Sequence, residues 1–336
     1  MRIINSCKVY VVVALQLLII NFVQAQQQTY NATLDGYEYP HEVKKLPVSV
    51  GVEGEKYQMA YMDVAPSKQV QNPQTIMLLH GKNFFGAYFR QTIKFLSDNG
   101  FRVIVPDQIG FGKSDKPAIY YNFHELAQNT HDLLQYLGVK QVVVLGHSMG
   151  GMLATRFTLM YPEMTSKLVL ENPIGLEDYR LFVPYKNLEE LYQTEMKRTE
   201  ESTRNYHKSY YTSWKPSYDE WVRVPSAQLQ SPDYPKVAKS SALTYAMIYQ
   251  QPVVYEFSQI KVPALLIIGQ ADRTIVGKGY IKDKQKLEQH GQYPLLGQQT
   301  AGAIPNAKLV ELKNVGHIPH LEATDKFHQA LLKFLK

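Results

Sequence analysis

The sequence predicts an α/β fold: a doubly wound, mostly parallel sheet with helices on both faces and a block of helices inserted into it. Three observations predict it. Short apolar runs rich in β-branched residues recur at 75–80 (TIMLLH), 101–106 (FRVIVP), 141–146 (QVVVLG), 167–171 (KLVLE), 262–269 (VPALLIIG) and 308–312 (KLVEL). That is how strands buried on both faces of a parallel sheet read. Helical stretches alternate with them at 88–99, 123–137, 149–161 and 321–335, an alternation that winds into a right-handed α/β sheet. Between 171 and 262 the rhythm stops for about ninety residues, too many for a plain loop in a compact domain.

In chain order, residues 1–25 read as a cleaved secretory leader. Arg2 and Lys8 give a basic start, and 9–20 (VYVVVALQLLII) is an apolar run. Val23-Gln24-Ala25 places small residues where a signal peptidase reads them. A membrane-spanning helix needs about 20 apolar residues, and Gln16 and Asn21 interrupt this run. Export to the periplasm or medium after a cut behind Ala25 is the expectation, with an uncleaved anchor as the alternative and no stable membrane span after the cut. The cut also removes Cys7, the single cysteine, which excludes disulfides, thiolate metal sites and a cysteine nucleophile. The formal charge of +6 includes Arg2 and Lys8. The remaining basic residues are dispersed, so nucleic-acid binding has no support.

Residues 26–47 are polar and broken by proline, an extended lead-in that carries the sequon Asn31-Ala32-Thr33. Residues 56–64 (KYQMAYMDV) fit early antiparallel strands. The buried strands and their helices fall in 48–176 and 261–336, the core. Residues 177–260 form the inserted helical cap. There Tyr185, Tyr192, Tyr206, Tyr210, Tyr211, Trp214, Trp221, Tyr245 and Tyr249 alternate with glutamates and basic residues at helical spacings. These aromatics fit a cap core, with some lining an apolar substrate pocket.

The chemistry concentrates at Gly146-His147-Ser148-Met149-Gly150, where an apolar strand ends and a helix begins. A serine projecting from so tight a turn needs Gly146 and Gly150, because a Cβ at either would clash as the backbone folds back. The turn also brings the Met149 N–H and the helix start to the reaction centre, where they can stabilise an oxyanion. Three further pieces lie in order: His80-Gly81-Lys82 after the 75–80 run, Asp272 beyond Gly269, and His317 between the last strand and the last helix.

On these motifs, together with 107–114 (DQIGFGKS), the chain resembles the α/β-hydrolase superfamily over about residues 48–336. Within it the chain is most similar to the capped subgroup holding epoxide hydrolases, haloalkane dehalogenases, prolyl iminopeptidases and carbon–carbon bond hydrolases. The resemblance implies Ser148 as nucleophile, His317 as base and then acid, and Asp272 as the residue that orients His317. The backbone N–H groups of Lys82 and Met149 would bind the oxyanion, leaving their side chains free to vary, with His80 and Gly81 supporting that loop. The chemistry requires no metal and no organic cofactor, and its partner is a small-molecule substrate.

Other readings of single residues are weighed beside these. Asp107 and Ser114 are structural in the resembling family rather than phosphate-binding. His320 fits a surface or packing role. Glu171 stands where some relatives place the triad acid, with Asp272 the better match. His147 shapes the elbow or its pocket. Epoxide opening and dehalogenation use an aspartate at the elbow, where this chain has Ser148. The leading function is therefore hydrolysis of an ester or lactone of small to medium size. An aminopeptidase, a carbon–carbon bond hydrolase sharing Ser148-Met149-Gly150-Gly151, and a non-catalytic binder remain as alternatives. The sequence is silent on oligomeric state.

Overall fold

The computed structural model describes residues 29–51 and 53–336; the leader read at 1–25 lies outside them. Eight strands form one sheet: β1 Lys44–Val50, β2 Glu55–Val64, β3 Thr75–Leu79, β4 Arg102–Pro106, β5 Val142–His147, β6 Thr165–Glu171, β7 Ala264–Gly269 and β8 Ala307–Leu312. Their order is β1-β2-β4-β3-β5-β6-β7-β8. β1 pairs antiparallel with β2, and β2 antiparallel with β4. All remaining pairs are parallel. The six apolar runs are the six parallel strands, and β3, β5 and β7 are buried along their whole length. A parallel strand with helices on both sides has no polar face to alternate with, which is why these runs are legible.

Between the strands run α1 Arg90–Asp98, α2 Phe123–Tyr136 and α3 Met149–Met160. The last strand is followed by α10 Pro319–Glu322 and α11 Thr324–Leu335. Two helices between β7 and β8, α8 Lys284–Gln289 and α9 Tyr293–Ala303, are not among those the sequence predicted. Gly297 and Gly302 dilute α9, each lowering helix propensity by about 1 kcal/mol relative to alanine, and no apolar stripe stands out.

The insertion between β6 and β7 builds four α-helices: α4 Leu188–Met196, α5 Glu200–Lys208, α6 Asp219–Gln228 and α7 Tyr234–Gln250. Capping boxes open two of them, Asn187 with Glu190 at α4 and Thr199 with Ser202 at α5. Each satisfies two backbone donors that a helix start leaves free. α4 packs on α7, and α5 on α6.

The lead-in differs from its reading as an extended segment. β1 begins at Lys44, inside it, and residues 31–36 turn rather than extend. Tyr30, Leu34 and Tyr37 are buried. Tyr37 Oη donates to Glu220 at 2.5 Å, and Gln228 Nε2 donates to the Asn31 carbonyl at 2.9 Å. The polar composition concealed three anchors that fasten this segment to α6. Among the described residues no helix is long and apolar enough to cross a membrane.

Candidate active site

Ser148 sits between β5 and α3 with φ +56° and ψ −120°. Positive φ is rare and strained for a residue with a Cβ, and the surrounding packing holds it. A Cβ on Gly146 would lie 2.1 Å from the Gly150 carbonyl oxygen, and one on Gly150 would lie 2.0 Å from the Leu79 carbonyl oxygen. Backbone approaches this close admit only glycine, and they press the elbow against β3. Ser148 is also the N-cap residue of α3, where a serine usually bonds back to the helix; here its side chain makes no capping bond. Instead Ser148 Oγ lies 3.0 Å from His317 Nε2.

His317 Nδ1 lies 2.6 Å from Asp272 Oδ2. All three side chains are buried. With Nδ1–H donating to the carboxylate, Nε2 is left as the acceptor facing the serine hydroxyl. Burial alone would push the Asp272 carboxyl up. The neighbouring imidazole of His317 and hydrogen bonds from His317, Thr274 and Asn172 outweigh it and hold the carboxyl below its ordinary value. Thr274 N–H donates to Oδ1 at 2.8 Å, and Asn172 Nδ2 donates to Oδ2 at 2.8 Å.

Asn172 is a site residue that sequence reasoning missed. Its φ is +33°, and its side-chain oxygen accepts from the Gly269 N–H at 2.8 Å, so one amide joins the ends of β6 and β7 beneath Asp272. Asparagine is among the few residues that tolerate positive φ. That is the only signal, and a single asparagine after a strand is too common to read.

The loop opposite the serine is built from His80, Gly81 and Lys82. His80 is buried; its Nδ1–H donates to the Gly81 carbonyl at 3.0 Å, and Nε2 accepts from the Gln108 N–H at 3.1 Å. Those two bonds fix the turn. A Cβ on Gly81 would lie 3.1 Å from His147 Nδ1 and 3.2 Å from Ser148 Cβ, so the loop lies directly against the elbow. The Lys82 and Met149 amides are not used in backbone pairing among the described residues. The Lys82 side chain has a partner of its own in the cap. Nζ donates to Ser241 Oγ on α7 at 2.7 Å. Burial lowers the ammonium to about 8, opposed by Glu195 and aided by Arg198.

His147 lies inside a relay. Gly81 N–H donates to Tyr88 Oη at 3.0 Å, Tyr88 O–H to His147 Nδ1 at 2.9 Å, and His147 Nε2–H to the His317 carbonyl at 2.8 Å. A carbonyl can only accept, so each donor in the chain is fixed by the next. Burial lowers His147 to about 3, which keeps it neutral, as this pattern requires. The relay ties the Gly81 loop, the elbow and the His317 loop together.

His320 is not at the surface: it is fully buried, with Nδ1 and its backbone N–H both bonded to Glu171 at 2.9 and 2.8 Å. Glu171 therefore serves His320 while Asp272 serves His317. Burial pushes Glu171 up to about 7. Asp107 accepts from Gly86 N–H at 2.6 Å, Lys113 N–H at 2.7 Å and Tyr39 Oη at 2.5 Å, and Ser114 Oγ donates to the Asp107 carbonyl at 2.6 Å. With its acceptors filled by the chain itself, this loop is a brace.

The cap reaches the site through Tyr210. Its carbonyl accepts the His317 N–H at 2.7 Å, and its ring stacks on the imidazole with centroids 4.8 Å apart. Asn83 Nδ2 donates to Tyr210 Oη at 2.7 Å. Ser148 opens into a cavity of about 290 Å³ between core and cap, lined by Lys82, Arg198, Tyr206, Tyr210, Tyr245 and Tyr280 among others. Among the described residues no group of three or more His, Cys, Asp or Glu side chains is placed to hold a metal ion.

Residues 74–324 match the family model of the alpha/beta hydrolase fold. The chain is 44% identical to the crystal structure of a probable hydrolytic enzyme from Pseudomonas aeruginosa PAO1, with a TM-score of 0.88 over 93% of this chain and 100% of that one. It is 28% identical over 298 residues to a 2-hydroxy-6-oxononadienedioate/2-hydroxy-6-oxononatrienedioate hydrolase of Paraburkholderia phymatum, covering 86% of this chain and 94% of the relative. An uncharacterized protein of Mycobacterium bovis is 38% identical over 76 residues, a match spanning 22% of its length and 23% of this chain.

Proposed function

Because this chain belongs to the α/β-hydrolase fold family, we propose that it is a serine hydrolase cleaving an ester or lactone through an acyl-enzyme on Ser148. One observation carries the reading: His317 bridges Ser148 Oγ at 3.0 Å and Asp272 Oδ2 at 2.6 Å. Ser148 Oγ attacks the acyl carbon while its proton passes to His317 Nε2. The imidazolium so formed lies against the Asp272 carboxylate. The Lys82 and Met149 N–H groups receive the developing oxyanion. Collapse breaks the bond to the leaving alkoxide, which takes the proton from Nε2. Water, deprotonated by the same nitrogen, then cleaves the Ser148 ester and releases the acid.

Carbon–carbon bond hydrolysis is the second reading, favoured by the Paraburkholderia relative matched over most of its length and by Ser148-Met149-Gly150-Gly151. The basic start, the apolar run and Ala25 support export of the protein before it acts.

The test is turnover of p-nitrophenyl acyl esters of increasing chain length, beside an aminoacyl anilide, with Ser148→Ala as control. Ester hydrolysis lost in the variant is the expected result. Anilide turnover alone replaces the reading with a peptidase. Folded protein inert to both substrates and to a fluorophosphonate overturns an acyl-serine mechanism.

A further inference from the structure

The cavity at Ser148 is charged as well as aromatic. Lys82, Arg198 and Lys278 line it against a single carboxylate, Glu195. That carboxylate is already engaged: Arg198 Nε lies 2.9 Å from Glu195 Oε2, and Arg198 Nη2 lies 3.2 Å from Oε1. The Lys82 ammonium, with three donors to place, has one partner among the described residues, the neutral Ser241 hydroxyl at 2.7 Å; Ser241 lines an adjoining cavity that shares Lys82, Asn83, Glu195 and Arg198 with this one. One turn further along α7, the Tyr245 ring lines the Ser148 cavity. A buried cation whose one partner is a neutral hydroxyl lacks an anionic acceptor, because burying a charge without its counter-charge is costly.

On the acyl-serine reading of the site, we infer that the substrate carries a carboxylate of its own, held by Lys82 with Arg198 while Ser148 attacks its ester or lactone carbonyl. The spacing follows from Lys82 itself. On that reading its backbone N–H serves the oxyanion, and its ammonium can reach at most roughly 6 Å from Cα at bond lengths of ~1.5 Å. The second charge is therefore expected within about four carbons of the acyl carbon, as in a half-ester of a short dicarboxylic acid. Glu195 keeps Arg198 oriented, and its one negative charge is shared between Arg198 and the Lys82 ammonium. Burial lowers Lys82 to about 8, and a bound carboxylate would favour its charged form.

The experiment compares kcat/KM for mono-p-nitrophenyl glutarate with that for p-nitrophenyl valerate, a neutral ester of similar length. The expected result is a preference for the glutarate ester, and a fall in that ratio of about tenfold or more in Lys82→Met and in Arg198→Met. Lys82→Met keeps the backbone N–H, so the ratio reads the ammonium alone. A wild-type ratio of one or below overturns the inference, as does a ratio unchanged in Lys82→Met. In either case turnover of the valerate leaves the acyl-serine reading standing. If the variants do not fold, protection of wild-type Ser148 from a fluorophosphonate decides: glutarate should protect at lower concentration than glutaramide, and equal protection overturns the inference. Absence of labelling and of turnover in wild type sinks the hydrolase reading itself.

Discussion

Asn172→Ala removes two buried hydrogen bonds at once, and its cost can be worked from the structure. Asn172 donates to Asp272 Oδ2 at 2.8 Å and accepts from the Gly269 N–H at 2.8 Å. A hydrogen bond to a charged group contributes about 1.5–3 kcal/mol, and a buried N–H left without a partner costs about 1–3 kcal/mol. Alanine held at the observed φ of +33° adds about 1 kcal/mol of backbone strain. With part of this relieved by local relaxation, the variant should lose about 3 kcal/mol in urea unfolding. Asn172→Gly loses the same bonds without the strain and should recover about 1 kcal/mol of that. Activity on a p-nitrophenyl ester should fall mainly in kcat, by about tenfold or more, because Asp272 no longer fixes His317. Stability within about 0.5 kcal/mol of wild type, with kcat unchanged, would refute the view that Asn172 holds the acid in place.

Gly150→Ala should destabilise by at least about 3 kcal/mol and abolish fluorophosphonate labelling, since its Cβ meets the Leu79 carbonyl oxygen at 2.0 Å. Gly302→Ala, with nothing within 4 Å on helix α9, should be neutral or stabilising by up to about 1 kcal/mol; equal effects in urea melts would remove the steric account of the elbow. Glu171 supplies a pH signature. Its carboxyl is pushed from 4.5 up to about 7, so the folded protein keeps a proton that the unfolded chain releases, and its contribution to stability is lost as pH rises through that window. His147, His207 and His320, lowered to about 3 by burial, act in the opposite sense below the ordinary histidine range, so the difference from Glu171→Gln isolates the carboxyl. Unfolding measured from pH 5 to 8 should show the variant gaining on wild type as pH rises, and a constant difference would contradict the buried, protonated state.

Much of this was legible in the sequence because local rules and global fold agree there. The parallel strands are apolar at successive positions, and the Ser148 turn announces itself through Gly146 and Gly150; the first is required within the turn by the Gly150 carbonyl, the second by the approach of β3 at Leu79. The order of Ser148, Asp272 and His317 follows from each standing at the end of such a strand. What stayed hidden depends on contacts between distant segments. Asn172, Tyr88 and Tyr210 act through bonds to partners far along the chain, at Asp272, His147 and His317, and no local pattern marks them. The surroundings of the Lys82 side chain stayed hidden for the same reason: its neighbours Glu195, Arg198 and Ser241 come from the cap, which has no motif. His320 looked idle because its partner, Glu171, lies on another strand.

The bond from the His317 N–H to the Tyr210 carbonyl has a consequence for descent. A Cβ on Gly316 would stand 2.2 Å from that same carbonyl oxygen, and Glu322 is shared between the Gly316 N–H and the Thr212 N–H, at 2.7 and 2.9 Å. The inserted segment is thus part of the scaffold of the His317 loop, and exchanging it for another would have to replace these contacts. A recombinant that kept this core and took another insertion would leave the His317 amide without its acceptor and the loop without its rest. Substitutions in the turn after α4 at Arg198, and on α7 at Tyr245, change the cavity lining without touching these contacts.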